Sequence, residues 1–310
     1  MATPVSSARP FPWLPVGVAL GSAGLAYVAL SLLAARRAEA AGSTSLSGAL
    51  RGVAARSAPR SAPASQGAPR EPVGGLDALF APGVSEANRE AAALAAARQG
   101  LIPPHLLAFK PVRLTSGTHT GVVYVMPDHF GLGAAGDWLR VPLSGRSAER
   151  LARQMGWLLP TRKIVDAIWE APGTVRLAMT GRTPREGETR NAMRLWLEAN
   201  AADARAVGDR DGTIVAGHRK SYTVGRASLA EPDNDVIYDG RDAAGNRIQT
   251  VENNHSHALG YVDYSQVPRF IAADMEVDGG WRRVADVAAD PELAGLVSHN
   301  GPFTPYGYRV

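Results

Sequence analysis

From Leu14 to Ala35 the chain runs for 22 residues, LPVGVALGSAGLAYVALSLLAA, without a charged side chain. At roughly 1.5 Å per residue a helix over this span is about 33 Å long, enough for a bilayer core of about 30 Å. Trp13 stands at one end and Arg36 and Arg37 at the other, an aromatic at headgroup depth and a basic stop. The pattern predicts one transmembrane helix, 14–35, behind a tail, 1–13. A cleaved signal peptide would have a shorter apolar core with more basic residues ahead of it. Ala38-Glu39-Ala40 offers a small-x-small cleavage pattern, but Arg36 and Arg37 lie between it and the apolar core. Gly17 and Gly21 form a GxxxG pair, a face on which two such helices could meet in a weak dimer.

Beyond Arg37 the periodicity stops. Residues 36–84 read as a flexible linker. Within it, 23 of the 34 positions from 42 to 75 are Ala, Ser, Gly or Pro, too little apolar surface to offset the entropy of ordering. Helical spacing returns in a lead-in segment, 85–104. Ser85 is an N-cap, Glu86 sits in the first turn, and Gly100, Pro103 and Pro104 end the run.

The soluble domain, 105–310, begins with short runs of mixed period. Gly121–Met126 and Trp138–Leu143 read as strands, and Ser147–Met155 and Arg162–Ala171 as helices, the second capped by Thr161 and striped by Ile164, Val165 and Ile168. Glu188–Val207 is the longest helical pattern. Strand-like runs follow at 213–216, 236–238, 248–251 and 269–272, and a last helix begins at Pro291 behind Asp290. Helices and strands in blocks predict an α+β domain with a mixed or antiparallel sheet.

Charge changes the picture in one respect. Residues 1–104 carry nine Arg and five acids, whereas 105–310 carry 24 bases and 24 acids. The folded part has no basic footprint, which argues against a nucleic-acid partner. The membrane is the expected partner, through the N-terminal helix. Arg36, Arg37, Arg51 and Arg56 behind that helix favour a cytoplasmic domain, while the cleavage-like pattern and the lack of thiols favour export, the side expected here. With no cysteine there is no disulfide, thiolate zinc site or cysteine nucleophile. No nucleotide-binding, α/β-hydrolase or zincin signature occurs.

The chemistry that remains centres on NNHSHALGYVDYS, 253–265. On an extended chain His255 and His257 point to one side and could share a metal ion such as zinc. Asp263 follows six residues on, and AGHRK places His218 and Lys220 two apart. Such a set suits acid–base hydrolysis, with Glu252 or Asp263 as base for a metal-bound water. A polar loop that hydrogen-bonds itself, with no metal, fits the same residues. Arg162 and Lys163 sit against the dipole at a helix start, as a ligand site or a solvated turn would place them. Tyr261, Tyr264, Trp281, Tyr306 and Tyr308 either form a sugar-stacking face or fill the core.

LPTRKIVDAIW, AGHRK and YVDYS resemble segments of a group of uncharacterised bacterial and phage-borne proteins that hold a soluble domain behind an export or anchor segment. The resemblance spans roughly 100–300 and implies no activity; it groups His218, Lys220, Asp263 and Tyr264. Two functions are expected from different classes. One is an envelope hydrolase of a polar polymer or ester, using His218, Lys220 and Asp263 with His255 and His257. The other is an anchored, non-catalytic module that binds envelope glycan or a protein partner. The full-length chain is expected to stay in the membrane pellet after a carbonate wash; an intact chain in the soluble fraction overturns the anchor.

Overall fold

The computed structural model describes Leu76, Leu79, Ala81 and residues 83–231, 233–250, 257–304 and 306–308. They belong to the second of two compact units, Ala68–Val310. The Leu14–Ala35 helix, the Gly17–Gly21 face and most of the linker lie outside the described residues. Among the described residues no helix is long and apolar enough to cross a membrane.

Helix α1, Glu86–Arg98, starts where Ser85 accepts the Asn88 N–H (3.3 Å). It packs into the core through Ala93, Leu94, Ala96 and Ala97, so the folded unit reaches back past His105 to Leu76. A short turn of helix, α2 (Pro104–Leu107), leads to strands β1 (Lys110–Ser116) and β2 (His119–Val125). These pair in register around the two-residue Gly117–Thr118 loop. Next come β3 (Gly131–Ala134), β4 (Asp137–Arg140), α3 (Gly145–Met155), β5 (Trp157–Leu158), α4 (Arg162–Glu170), β6 (Val175–Arg176) and α5 (Met193–Val207). Helix α3 is held to α1 by Glu90, whose carboxylate takes the Ser144 N–H and the hydroxyls of Ser144 (2.9 Å) and Ser147 (2.6 Å). An anion at the start of a helix meets both its unpaired N–H groups and its positive end. Helix α5 starts at Met193, five residues after the predicted Glu188, because Glu188 is taken up by Arg194 and the Arg185 N–H ahead of the helix.

The second half supplies β7 (Val215–Ala216), β8 (Lys220–Tyr222), α6 (Arg226–Ala230), β9 (Ile237–Arg241), β10 (Arg247–Gln249), β11 (Ile271–Val277), β12 (Gly280–Arg283) and α7 (Val284–Ala289), then a 3-10 turn at Ala294–Leu296. That turn replaces the predicted Pro291 helix: the Asp290 carboxylate takes the N–H groups of Glu292 and Leu293, but only one short turn follows. The α+β expectation holds. The main sheet, β1-β2-β11-β12 with β5 beside β11, is antiparallel, as are β10-β9-β8 and β3-β4, whereas β6 and β7 are parallel. Asp278 (φ 49°) and Gly279 (φ 81°) make the β11–β12 turn, the Asp-Gly pairing that a right-handed twist favours.

Neighbouring residues on a strand point to opposite sides, and this separates two apolar cores. Val125 and Ile271 enter one with Val112, Ile164 and Met275; Met126 and Phe270 enter the other with Leu195, Trp196 and Tyr264. Several charged side chains are buried alongside. Arg140 grips Asp128 at two points (Nε–Oδ1 3.1 Å, Nη2–Oδ2 2.5 Å), with 3% and 5% of these side chains exposed. Arg219 pairs with Asp203 of α5 and donates to the Tyr264 carbonyl (2.6 Å). Arg269 donates to the carbonyls of Met126, Pro127 and Val215. Burial works against the Asp128 charge, yet Arg140 and then His218 outweigh it and hold the carboxyl well below its usual range. Asp128→Asn leaves Arg140 buried without its counter-ion, so it is expected to cost about 3–5 kcal/mol in urea unfolding. A cost below about 1 kcal/mol would make the pair incidental.

Candidate acid–base site

The sequence-predicted residues divide between two places. Gly217 turns the chain at φ +91°, so His218 and Lys220 do not share a continuous strand and β8 begins only at Lys220. His218 goes inward: its Nε2 lies 3.1 Å from Asp128 Oδ1, and its ring meets His129 edge-on at 5.1 Å. Burial, with Arg269 and His218 nearby, pushes His129 well below its ordinary value, which leaves that imidazole neutral. This is a structural cluster around the Asp128–Arg140 pair. His218 shares no hydrogen bond, ion pair or ring contact with Lys220, His257 or Asp263 among the described residues.

Lys220, His257 and Asp263 form the other place. The Lys220 N–H donates to the Ser265 carbonyl (3.0 Å), laying the turn 263–266 along β8. Inside that turn Asp263 Oδ1 takes the Ser265 N–H (2.7 Å) and hydroxyl (2.6 Å), and its Oδ2 lies 3.7 Å from Arg190 Nε. His257 stacks on Tyr261 (4.1 Å between centroids) within electrostatic reach of Asp263, Lys220 and Arg190, and burial lowers its pKa. His255 and Glu252 lie outside the described residues, so the expected His255–His257 pair is not seen. Among the described residues no three His, Asp or Glu side chains stand close enough to hold a metal ion.

Two further residues complete the arrangement, and neither carried a motif. Asp235 lies just ahead of β9; its N–H donates to the His257 carbonyl (3.1 Å) and Asn234 bridges to Ala258. Its side chain is fully buried, and neither carboxyl oxygen has a hydrogen-bond partner among the described residues. Burial pushes this carboxyl up to about 8; Asp263's charge adds to the shift and Lys220 opposes it. Gln266 is equally buried. Its Oε1 takes the Asp263 N–H (3.0 Å) and the Tyr222 hydroxyl (3.2 Å), while its Nε2 has no partner among the described residues. Tyr222 connects the two: its Cε1 and the Asp235 Cβ both lie within 3.4 Å of where a Cβ on Gly145 would stand. The signal for Asp235 in the sequence was an acid immediately before the apolar run Val236-Ile237-Tyr238, a carboxylate at the mouth of a buried strand.

A small groove lined by Glu86, Arg89, Asn191, Val262 and Asp263 runs past the Asp263 side of the cluster. Lys220, His257 and Tyr261 are half-buried. A carboxyl that burial keeps protonated thus lies within electrostatic reach of one that accepts hydrogen bonds and of a lysine, a combination suited to acid–base chemistry. Tyr264 and Tyr308 are core residues, 1% exposed, and present no stacking face. The chain matches no known family model, no curated protein and no solved structure.

Asp235 sets a pH test of the site. Its folded pKa of about 8 exceeds the ordinary 3.8, so the native state holds a proton that the unfolded chain releases between these values. The stability tied to that proton is complete below about 3.8 and is lost as pH rises to about 8. Asp235→Asn is expected to remove this decline from a plot of unfolding free energy against pH. An unchanged plot would mean that Asp235 ionises normally.

Proposed function

We propose that the domain is a hydrolase of a polar polymer or ester, held at the membrane by the N-terminal segment, with its reaction centre at Asp235, Asp263 and Lys220. One observation carries this reading: a fully buried carboxyl, Asp235, with no hydrogen-bond partner among the described residues, within electrostatic reach of a second, well-anchored carboxylate. A buried polar group left unpaired costs stability, and such a cost is characteristic of sites that keep the group for chemistry.

In the proposed reaction Asp263 takes a proton from a water, whose oxygen attacks the scissile centre. Asp235 gives its proton to the leaving oxygen as that bond breaks. Lys220 faces the charge that develops between them. Asp263 is oriented by Ser265, and Gln266 holds the turn by accepting from the Asp263 N–H. His257, neutral and stacked on Tyr261, offers a ring face to substrate. His218 has no part in this reaction; its partner is Asp128. A second reading, an anchored module that binds envelope glycan, draws on Trp281, half-exposed and stacked on Tyr124 at 5.6 Å.

Full-length protein assayed against chromogenic esters and envelope glycans is expected to show turnover that falls above about pH 8, where Asp235 ionises. Asp263→Asn and Asp235→Asn should each lower kcat by about 10²–10⁴-fold while the fold is retained. Glycan retention without turnover, abolished by Trp281→Ala, would favour the binding module instead.

A further inference from the structure

A second polar feature lies away from the acid–base cluster. A small open-mouthed cavity is lined by the start of α4, by the segment 223–227 and by residues 298–300. Three separate stretches of chain bring cationic or cation-forming side chains to it: Arg162 and Lys163, Arg226, and His299. No Asp or Glu is among the residues that line it. Lys163 is anchored, its ammonium donating to the carbonyls of Thr115 (3.0 Å) and Gly295. His299 has a counter-ion in Asp166, 3.2 Å away on the next turn of α4, where Asp166 also meets Arg247 (2.5 Å) and the Tyr238 hydroxyl (3.1 Å). Arg162 and Arg226 have no ion-pair partner among the described residues.

The backbone adds to the imbalance. The Thr161 hydroxyl takes the Ile164 N–H (3.2 Å) and its carbonyl takes the Val165 N–H (3.0 Å). The N–H groups of Arg162 and Lys163 are left without partners inside the helix. No acid occupies this first turn, although acids are the residues that a helix start favours. Arg162 and Lys163 thus place positive charge on the positive end of the helix, and Arg226 adds a third cationic side chain to the lining of the same cavity. A bound anion would offset that repulsion, and its oxygens would meet both guanidinium N–H donors and the free backbone N–H groups.

We propose that this cavity binds a tetrahedral oxyanion of the phosphate class, held by Arg162, Arg226 and the first-turn N–H groups of α4. Donors approach from more than one side, which suits an anion with acceptor oxygens in several directions better than a planar carboxylate. The source is either free phosphate or the phosphoryl group of a larger ligand.

Full-length protein is titrated calorimetrically with inorganic phosphate and with glycerol phosphate, at ionic strength held constant with chloride, and with acetate as the planar control. Saturable binding of either phosphate, weakened at least tenfold in Arg162→Gln and in Arg226→Gln, supports the site. Binding of both probes points to a phosphoryl-bearing ligand, and binding of inorganic phosphate alone to the free ion. Arg226 is solvent-exposed, so its variant is expected to fold normally and keeps the test valid if Arg162→Gln is unstable. Asp263→Asn should bind phosphate as the unmodified protein does, which separates this site from the acid–base centre. No phosphate-specific heat, equal binding of acetate, or binding undiminished in both arginine variants would overturn the proposal.

Discussion

Asp128 and Arg140 meet at two points in the interior, and His218 closes on the same carboxylate from a third stretch of chain. Charges taken out of water are tolerated only with partners of good geometry, so each buried charge dictates where another segment lies. The link continues outward. The Arg140 backbone is held by Asn200 and Trp196 of α5. From the same helix Asp203 holds Arg219, and Arg219 reaches the Tyr264 carbonyl in the turn that carries Asp263. Arg269 ties the segment after β2 to β7 through three carbonyls. The position of the acid–base cluster follows from these contacts, since β7, β8 and the turn 263–266 are short and have little ladder of their own to fix them.

Asp128 and Asp235 are the same side chain in opposite circumstances. Both are almost wholly buried, and burial raises the cost of ionising each of them. Asp128 has a guanidinium and an imidazole at hydrogen-bond distance, so its charged form prevails. Asp235 has no hydrogen-bond partner among the described residues; burial and the like charge of Asp263 outweigh the pull of Lys220, so its proton stays on. Burial alone therefore does not decide what a carboxyl does. The partner decides it, and a carboxyl that keeps its proton near neutrality is one that can give it up to a substrate.

The stretch around β8 and β9 separates two polar regions by simple alternation. Tyr222 and Asp235 turn towards the acid–base cluster, while their neighbours Thr223 and Val236 line the cationic cavity beyond. Strand geometry makes this natural, because successive residues point to opposite sides. Asp239 (φ 73°) and Gly240 (φ 69°) then bend β9 so that the Lys220 stem passes close over Gly240, whose missing side chain leaves the room.

Local elements were legible where the code is local. Ser85 and Thr161 mark helix starts because their oxygens cap the next turn, and Ile164, Val165 and Ile168 share a face because a helix repeats every 3.6 residues. The short apolar run Gly121–Met126 reads as a buried strand and forms most of β2, and blocks of helical and strand-like runs mark an α+β domain. The Lys220, His257 and Asp263 members of the candidate site were also read from residue type alone. What the sequence could not convey was partnership. His218 sits two residues from Lys220, yet Gly217 breaks the strand and the imidazole pairs with Asp128, 90 residues away in the chain. Asp235 bears no motif, and its character comes from burial without a hydrogen-bond partner among the described residues. Local propensity acts over a few residues, whereas burial and charge pairing depend on which distant segments the folded chain brings together, and only the tertiary structure decides that.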